Sequence, residues 1–325
     1  MADDVLVKTL ANVVRSSSPL VLAAIGETFT ERAGIVNLSL DGTLMLSALA
    51  GFVIGINTQS VLLGTLAAML VGMVIALIVA ASSIELKQSQ VAVGFILTLL
   101  CRDLATFLGI SYRNVNGLPV PNLPIPLLKD IPIIGPIFFA QDVFTYLSLL
   151  AIFVAWFWIF RTAPGLTLRS VGERPATSFA RGTNVNRTRY LYTALGGALV
   201  GMGGAAFTLS VTSSWNESFV SGNGWIALAI VIFGGWYPLR VALGVYLVAA
   251  LRIVAGSLQG GAIPVQLVTA IPWLLMILTL LAVSNPYTER LLHMLPDRLQ
   301  PLFRSLLRAR PPAALGTRFE QEGDK

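Results

Sequence analysis

Charge is scarce in this 325-residue chain: Asp, Glu, Lys and Arg make up 12% of it, against 55% hydrophobic residues and a mean hydropathy of +0.77. Soluble domains carry about a quarter of their residues as charges, so this composition excludes an ordinary water-soluble protein and indicates an integral membrane protein. Cysteine and histidine are nearly absent. Cys101 alone excludes an internal disulfide, and His293 alone leaves no clustered metal ligands, so no metal site is expected. No GxxxxGK[ST], GxSxG or His-rich metal motif occurs either, and without gathered acid, base or metal groups no enzyme activity is expected of the chain. The net charge of +6 does not argue for a nucleic-acid partner. Thirteen of the 22 Lys and Arg residues fall in 161–189 and 284–325, where orientation in a bilayer accounts for them.

What is present is a series of apolar runs. A spanning helix needs about 20 mostly apolar residues, and candidates are 17–31, 38–57, 60–82, 89–110, 143–160, 190–210, 224–237, 239–257 and 264–283. The expected fold is therefore an all-α polytopic transmembrane bundle of eight or nine segments, a single domain over 1–325. Two segments are short. The run 17–31 cannot cross upright, and 224–237 is interrupted by Gly224, Gly234 and Gly235. Each is either a broken helix beside a solute path or an ordinary span in a locally thinned bilayer. The stretch 111–142 contains Pro119, Pro121, Pro124, Pro126, Pro132 and Pro136 and is expected to be a loop. The first 15 residues carry Asp3, Asp4, Lys8 and Arg15, so no secretory signal is expected there, and 5–14 reads as a short amphipathic helix at the interface.

Orientation follows from RTAPGLTLRSVGERPATSFARGTNVNRTR, 161–189, which holds six arginines against the single acid Glu173. Loops rich in Arg stay on the cytoplasmic side. Counting spans from there places the tail 284–325, with Arg298, Arg304, Arg308 and Arg310, in the cytoplasm too, and the chain in the inner (plasma) membrane. Pro175 and Gly182 are placed to begin and end a short helix within the loop.

Polar residues inside apolar runs are the candidate functional groups. ERAGIVNLSLDG, 31–42, brings Asn37 and Asp41 into a membrane-embedded stretch, either as a hinge beside the solute path or as a simple capped turn. Trp215, Asn216, Glu217 and Trp225, in an outer loop without Lys or Arg, offer stacking and hydrogen bonds suited to a sugar or nucleobase, although interfacial tryptophans also serve as plain anchors. Arg102, Asp103 and Arg252 also lie within apolar runs, and snorkelling to the outer interface is the expectation for both arginines. Density of small residues in ALGGALVGMGGAA, 194–206, predicts a span packed tightly against other helices.

Three stretches carry a resemblance. The pattern G-x-x-x-R-x-V-G-E-x-P followed by a glycine seven residues on (Gly165, Arg169, Val171, Gly172, Glu173, Pro175, Gly182) resembles the coupling loop of ABC-importer permeases that serve simple sugars, nucleosides and branched-chain amino acids. ERAGIVNLSLDG and GNGWIALAIVIFGGWYPLR, 222–240, are similar to stretches of the nucleoside-type members. Asp41 stands where that family usually has Glu, Ser39 where Gly is usual and Ser178 where Ala is common, each keeping size or charge class. The resemblance implies a permease that moves nucleosides inward by alternating access. Its implied partners are a second homologous permease, an ATPase and an extracytoplasmic binding protein, with ATP and Mg held by the ATPase and no cofactor on this chain. Gly165, Arg169, Gly172, Glu173, Arg174, Pro175 and Gly182 would then couple to the ATPase. A simple-sugar permease is the nearest alternative. An ion-coupled secondary transporter is a more distant one, since Asp103 is its one convincing carboxylate within a span.

Overall fold

The computed structural model describes residues 2–113, 115–257 and 311–319, together with Ala270, Leu274 and Ile277. The expected span 264–283, apart from those three positions, and the tail up to Arg310, with His293, Arg298, Arg304 and Arg308, lie outside the described residues.

The first helix, α1, runs unbroken over Ala2–Arg32. Neither the separate interfacial helix at 5–14 nor the short segment 17–31 exists: both belong to one rod of 31 residues, about 46 Å long. Pro19 does not break it, because the carbonyl of Arg15 that lacks a partner amide at Pro19 accepts the Ser18 hydroxyl at 2.9 Å. Ser17 likewise returns its hydroxyl to the Val14 carbonyl, at 2.8 Å.

Beyond it come α2 (Leu40–Thr58), α3 (Val61–Ile84), α4 (Gln90–Gly109), α5 (Val143–Arg161), α6 (Ala163–Glu173), α7 (Pro175–Ala180), α8 (Val185–Ala206), α9 (Glu217–Val220), α10 (Asn223–Phe233) and α11 (Pro238–Ser257). Side-chain caps set several starts: Ser60, Ser89, Asp142 and Asn184 each accept an amide from the first turn that follows. Helices α2, α3 and α5, α4 with its extension to Tyr112, and α8 with the π turn Phe207–Val211 are long and apolar enough to cross a membrane. The run 224–237 is not. Helix α10 has 11 residues, about 16 Å, and it stops because Gly235 and Trp236 take left-handed backbone angles, φ +63 and +55. The proline-rich 111–142 is irregular as expected, with a short 3-10 turn at its start and a π turn at Gly135–Phe139.

Helix α8 lies at the centre, packed on α1, α2 and α3 through glycine. A Cβ on Gly196 would strike the Gly26 carbonyl, one on Gly201 the Ala68 carbonyl, and one on Gly204 would lie 2.8 Å from the Ala48 amide nitrogen. In lipid, where apolar surface gains nothing by leaving water, such close backbone approach is what holds helices together. The apolar rims point outward from α3, α4 and α5, with Leu62, Leu70, Phe95, Phe107, Phe153 and Phe157 exposed.

Candidate functional site

The stretch 33–39 between α1 and α2 is not a solvent turn. Every residue in it is buried or half-buried. After Gly34, at φ +90, the chain runs back alongside α4: the Val36 amide donates to Gln90 Oε1 at 2.7 Å and the Leu38 carbonyl accepts Thr98 Oγ1 at 2.6 Å. Gln90 and Thr98 lie about 12 Å apart along the helix axis. Helix α2 therefore begins within the bundle, and side chains of α4 take the backbone groups that no helix satisfies. Asn37, 1% exposed, closes the turn: its amide donates to Glu27 Oε2 at 3.4 Å, and its Oδ1 accepts the amide and hydroxyl of Ser39 at 3.2 and 2.5 Å.

Both ends of α10 are pinned to the helix ends that flank this stretch. At its N-terminus the Gly224 amide donates to Asp41 Oδ1 at 2.9 Å, a carboxylate placed against the positive end of a helix. Beyond its C-terminus the Trp236 indole donates to the Glu31 carboxylate, and the Trp236 carbonyl accepts Arg32 Nε and Nη2 at 3.0 and 2.9 Å.

One turn after Asp41 is Met45, which with Arg102, Asp103, Thr106, Glu217, Ser218 and Ser221 lines a cavity of about 370 Å³. Arg102 and Asp103 stand midway along the span Gln90–Tyr112 rather than near its end, and both are exposed on the isolated chain. Arg252 Nη1 donates to Asn223 Oδ1 at 2.7 Å.

The other candidates for a solute path are used in several ways. Glu217 holds Arg113 through Nη2 at 2.5 Å, and that hydrogen bond and charge raise the Arg113 pKa above its usual value. Asn216 caps α9, accepting the amide and hydroxyl of Ser218 at 3.0 and 2.6 Å. Trp215 is 1% exposed and packed on Gly109, whereas the half-buried Trp225 leans on Phe95 with ring centroids 6.4 Å apart. Glu217 thus lines the cavity, Asp41 stands one helical turn before its lining residue Met45, and Asn37, Trp215 and Asn216 serve backbone and packing. Arg102 and Asp103 are the residues that reading the sequence underweighted, and their signal was two adjacent charges at the middle of an apolar run.

At the α6–α7 end of the bundle the glycine- and arginine-bearing motif folds into a helical hairpin. Gly165 lies on the carbonyls of Trp158 and Ile159, where a side chain would not fit, and its amide reaches the capping Thr162 Oγ1 at 3.1 Å. Arg169 and Arg32 place their guanidinium groups 5.3 and 5.4 Å from the same Phe160 ring. Gly172 packs directly on the Arg32 carbonyl. Pro175 opens α7, and Gly182, at φ +85, stops it with its amide on the Phe179 carbonyl at 2.8 Å. Arg174 precedes Pro175, and its carbonyl accepts the Ser178 amide and hydroxyl, both at 3.0 Å. Glu173, Arg174, Phe179 and Arg181 are exposed. Between the two helices is an open groove of about 390 Å³ lined in part by Leu166, Ser170, Arg174, Thr177 and Arg181. Among the described residues no group of His, Cys, Asp and Glu could hold a metal.

A family model described as the branched-chain amino acid transport system permease component matches residues 9–280. The chain belongs to that family. This permease is 33% identical to the nucleoside ABC transporter permease NupC of Lactococcus lactis subsp. cremoris, over 77% of its own length and 84% of the relative's. It is 36% identical to the guanosine ABC transporter permease NupQ of Bacillus subtilis, over 70% and 75%. Similarity extends to TsgC13 of Haloferax volcanii, which bears the name of a glucose ABC transporter permease, at 37% over 72% of each chain. The permease is accordingly a membrane-embedded transport component of an ABC transporter and not an enzyme, and membership implies an ATPase and a substrate-binding protein as partners.

Proposed function

We propose that this permease imports nucleosides by alternating access, the solute passing the cavity at Arg102, Asp103 and Glu217 while an ATPase that binds ATP and Mg acts on the α6–α7 hairpin. In this reading residues 1–325 form one transmembrane domain of the plasma membrane, with 161–189 and the tail 284–325 in the cytoplasm and the cavity fed from outside by an extracytoplasmic binding protein. NupC and NupQ support the substrate class by their names. The guanidinium of Arg102 and the carboxylates of Asp103 and Glu217 in one cavity suit a solute rich in hydrogen-bonding groups. A second homologous permease set against α4 would shield Arg102 and Asp103 from lipid, where charges at mid-span are costly.

The observation that carries the coupling is a continuous line of contacts. Gly172 of the hairpin lies on Arg32, Arg32 holds Trp236 beyond one end of α10, and the other end of α10 holds Asp41, one turn before Met45 of the cavity lining. Displacement of α6–α7 by the ATPase can shift the cavity only through contacts that differ between two states, and this line is the route along which such a difference would pass.

The second reading, a simple-sugar permease, is favoured by TsgC13 and by the hydroxyls of Thr106, Ser218 and Ser221 in the cavity. Uptake of isotope-labelled guanosine and glucose in cells lacking the permease, with and without the restored chain, decides between them. Restoration of guanosine uptake supports the nucleoside reading, and restoration of glucose uptake alone overturns it. Uptake that survives ATP depletion but collapses with the ion gradient would overturn the coupling. Orientation is tested on Thr177→Cys in a Cys101→Ala background, which an impermeant maleimide should label only after cells are opened.

A further inference from the structure

The nine residues 311–319, PPAALGTRF, lie across the α6–α7 end of the bundle, with hydrogen bonds to α6, α8 and the residue Gly34 just beyond α1 and a ring contact to α7. The Ala314 amide donates to the Gly172 carbonyl at 2.8 Å, and the Gly316 amide to the Gly34 carbonyl at 3.1 Å. These are carbonyls at or just beyond the C-terminal ends of α6 and α1, groups a helix cannot satisfy by itself. The Ala313 amide reaches Glu173 Oε2 at 3.3 Å, and the Thr317 carbonyl accepts Arg189 Nη1, from the second turn of α8, at 3.2 Å. Phe319 closes the run against Phe179 of α7, ring centroids 5.8 Å apart. Pro312 and Ala314 are buried. The segment has turns of its own, with the Leu315 amide on the Pro312 carbonyl at 2.9 Å and the Thr317 amide on the Ala314 carbonyl at 3.1 Å.

The placement is specific in both directions. Gly316 sits at φ +71, and a Cβ there would be 3.3 Å from Val36 Cγ2. Gly34 sits at φ +90, where a Cβ would be 3.2 Å from the Ala314 carbonyl and 3.1 Å from Arg189 Nη2. A tail that served only to set topology would need its charge and none of these contacts.

We infer that residues 311–319 are a positioning strap for energy coupling: they bind the hairpin to the ends of α1 and α8, so that a displacement of α6–α7 is delivered to the Gly34 break and to Arg32 as movement of one body. Helix α6 meets the bundle directly, with Gly165 on the Trp158 and Ile159 carbonyls, Leu168 and Val171 fully buried and Gly172 on Arg32, whereas Ser178 is the one buried residue of α7. The strap adds two backbone bonds and an aromatic pair that resist the hairpin swinging away alone. This rests on the reading of α6–α7 as the ATPase contact.

The test uses the complete transporter, permease with ATPase and binding protein, in proteoliposomes. The readout is solute moved per ATP hydrolysed, a ratio that reduced amounts of assembled complex do not alter. Ending the chain after Arg310 should lower the ratio at least about fivefold, in keeping with the loss of one or two ordinary hydrogen bonds, while hydrolysis continues. An unchanged ratio overturns the inference. Should the truncated chain not assemble, Gly316→Val and Phe319→Ala decide on the same scale. In a Cys101→Ala background, joining Phe179→Cys to Phe319→Cys with a cleavable bismaleimide should leave the ratio as it was. Loss of transport on cross-linking, restored by cleavage, would mean the strap must let go, and would also overturn it. Arg181→Glu, which alters the exposed groove of the hairpin at a residue with no bond to the strap, separates the two readings. If it lowers the ratio and the strap variants do not, the strap alone fails, and if neither does, the hairpin reading fails with it.

Discussion

Arg32 and Trp236 are joined twice over in sense though not in sequence: two guanidinium nitrogens of Arg32 donate to the Trp236 carbonyl, at 3.0 and 2.9 Å, while the Trp236 indole reaches the neighbouring carboxylate of Glu31. The carbonyl left free by the turn at Gly235 is thereby satisfied from the end of α1. The same guanidinium rests on Phe160. Lysine can reproduce the charge but neither the planar fork nor the stacking. Arg32→Lys is expected to cost about 1.5–3 kcal/mol, the range for hydrogen bonds made by a charged group. Thermal unfolding of the purified permease in detergent, compared with Arg32→Ala, would show it, and a lysine variant as stable as the parent would refute it.

Gly172 meets Arg32 at its backbone carbonyl. A methyl group there meets the Arg32 carbonyl, which is backbone and cannot rotate away, so Gly172→Ala should pry α6 from α1 at a cost of about 1–3 kcal/mol, as overpacking generally does. Limited trypsin digestion is a sensitive readout, since Arg174 and Arg181 lie in the exposed part of the hairpin. Faster cleavage at those arginines is expected in Gly172→Ala, and cleavage at the parental rate would count against the packing.

Much of this architecture could be read from the residues. Long apolar runs gave α2, α3, α4, α5, α8 and α11 to within a few residues at most ends, because in lipid a backbone must satisfy itself helically. Glycine density foretold that α8 would be enclosed, and Pro175 with Gly182 bounded α7. Other features depend on contacts between distant parts. Continuity of α1 through Pro19 needed the Ser18 hydroxyl on the Arg15 carbonyl, a rotamer choice invisible to hydropathy. The burial of 33–39 needed Gln90 and Thr98, more than 50 residues away. Snorkelling was the natural expectation for Arg102 until α9 brought Glu217 to the same cavity. Nothing in PPAALGTRF marks it as bonded to Gly172 and Gly34, since its partners there are backbone carbonyls.

Asp41 should be graded by how well a substitute accepts a hydrogen bond. Its carboxylate takes the Gly224 amide at the start of α10, where Gly224 packs closely on the Asp41 backbone and both residues are buried. Asp41→Asn keeps an acceptor and loses the attraction to the helix terminus, about 0.3–1 kcal/mol. Asp41→Ala leaves a buried amide unpaired, which costs about 1–3 kcal/mol. Unfolding temperatures should therefore fall in the order parent, Asn, Ala. An alanine variant no less stable than the asparagine variant would show that the bond contributes nothing.

The surroundings of Arg102 and Asp103 can be decided by removing both charges. If the two side chains met lipid in the assembled transporter, Arg102→Leu with Asp103→Leu would relieve about 2.5–3.5 kcal/mol per residue on the insertion scale and raise stability strongly. Facing a wet cavity with Glu217, Ser218 and Ser221, they carry no such burden. The double variant in the complete transporter should then change stability by less than about 1 kcal/mol, as substitutions at hydrated positions usually do. Solute uptake should nevertheless weaken through a raised KM, with Asp103→Asn and Arg102→Gln each giving part of the effect. Charges bordering the path would be felt by the solute as it passes, and less by the fold. A marked gain in stability with uptake unchanged would place the pair against lipid and remove it from the path.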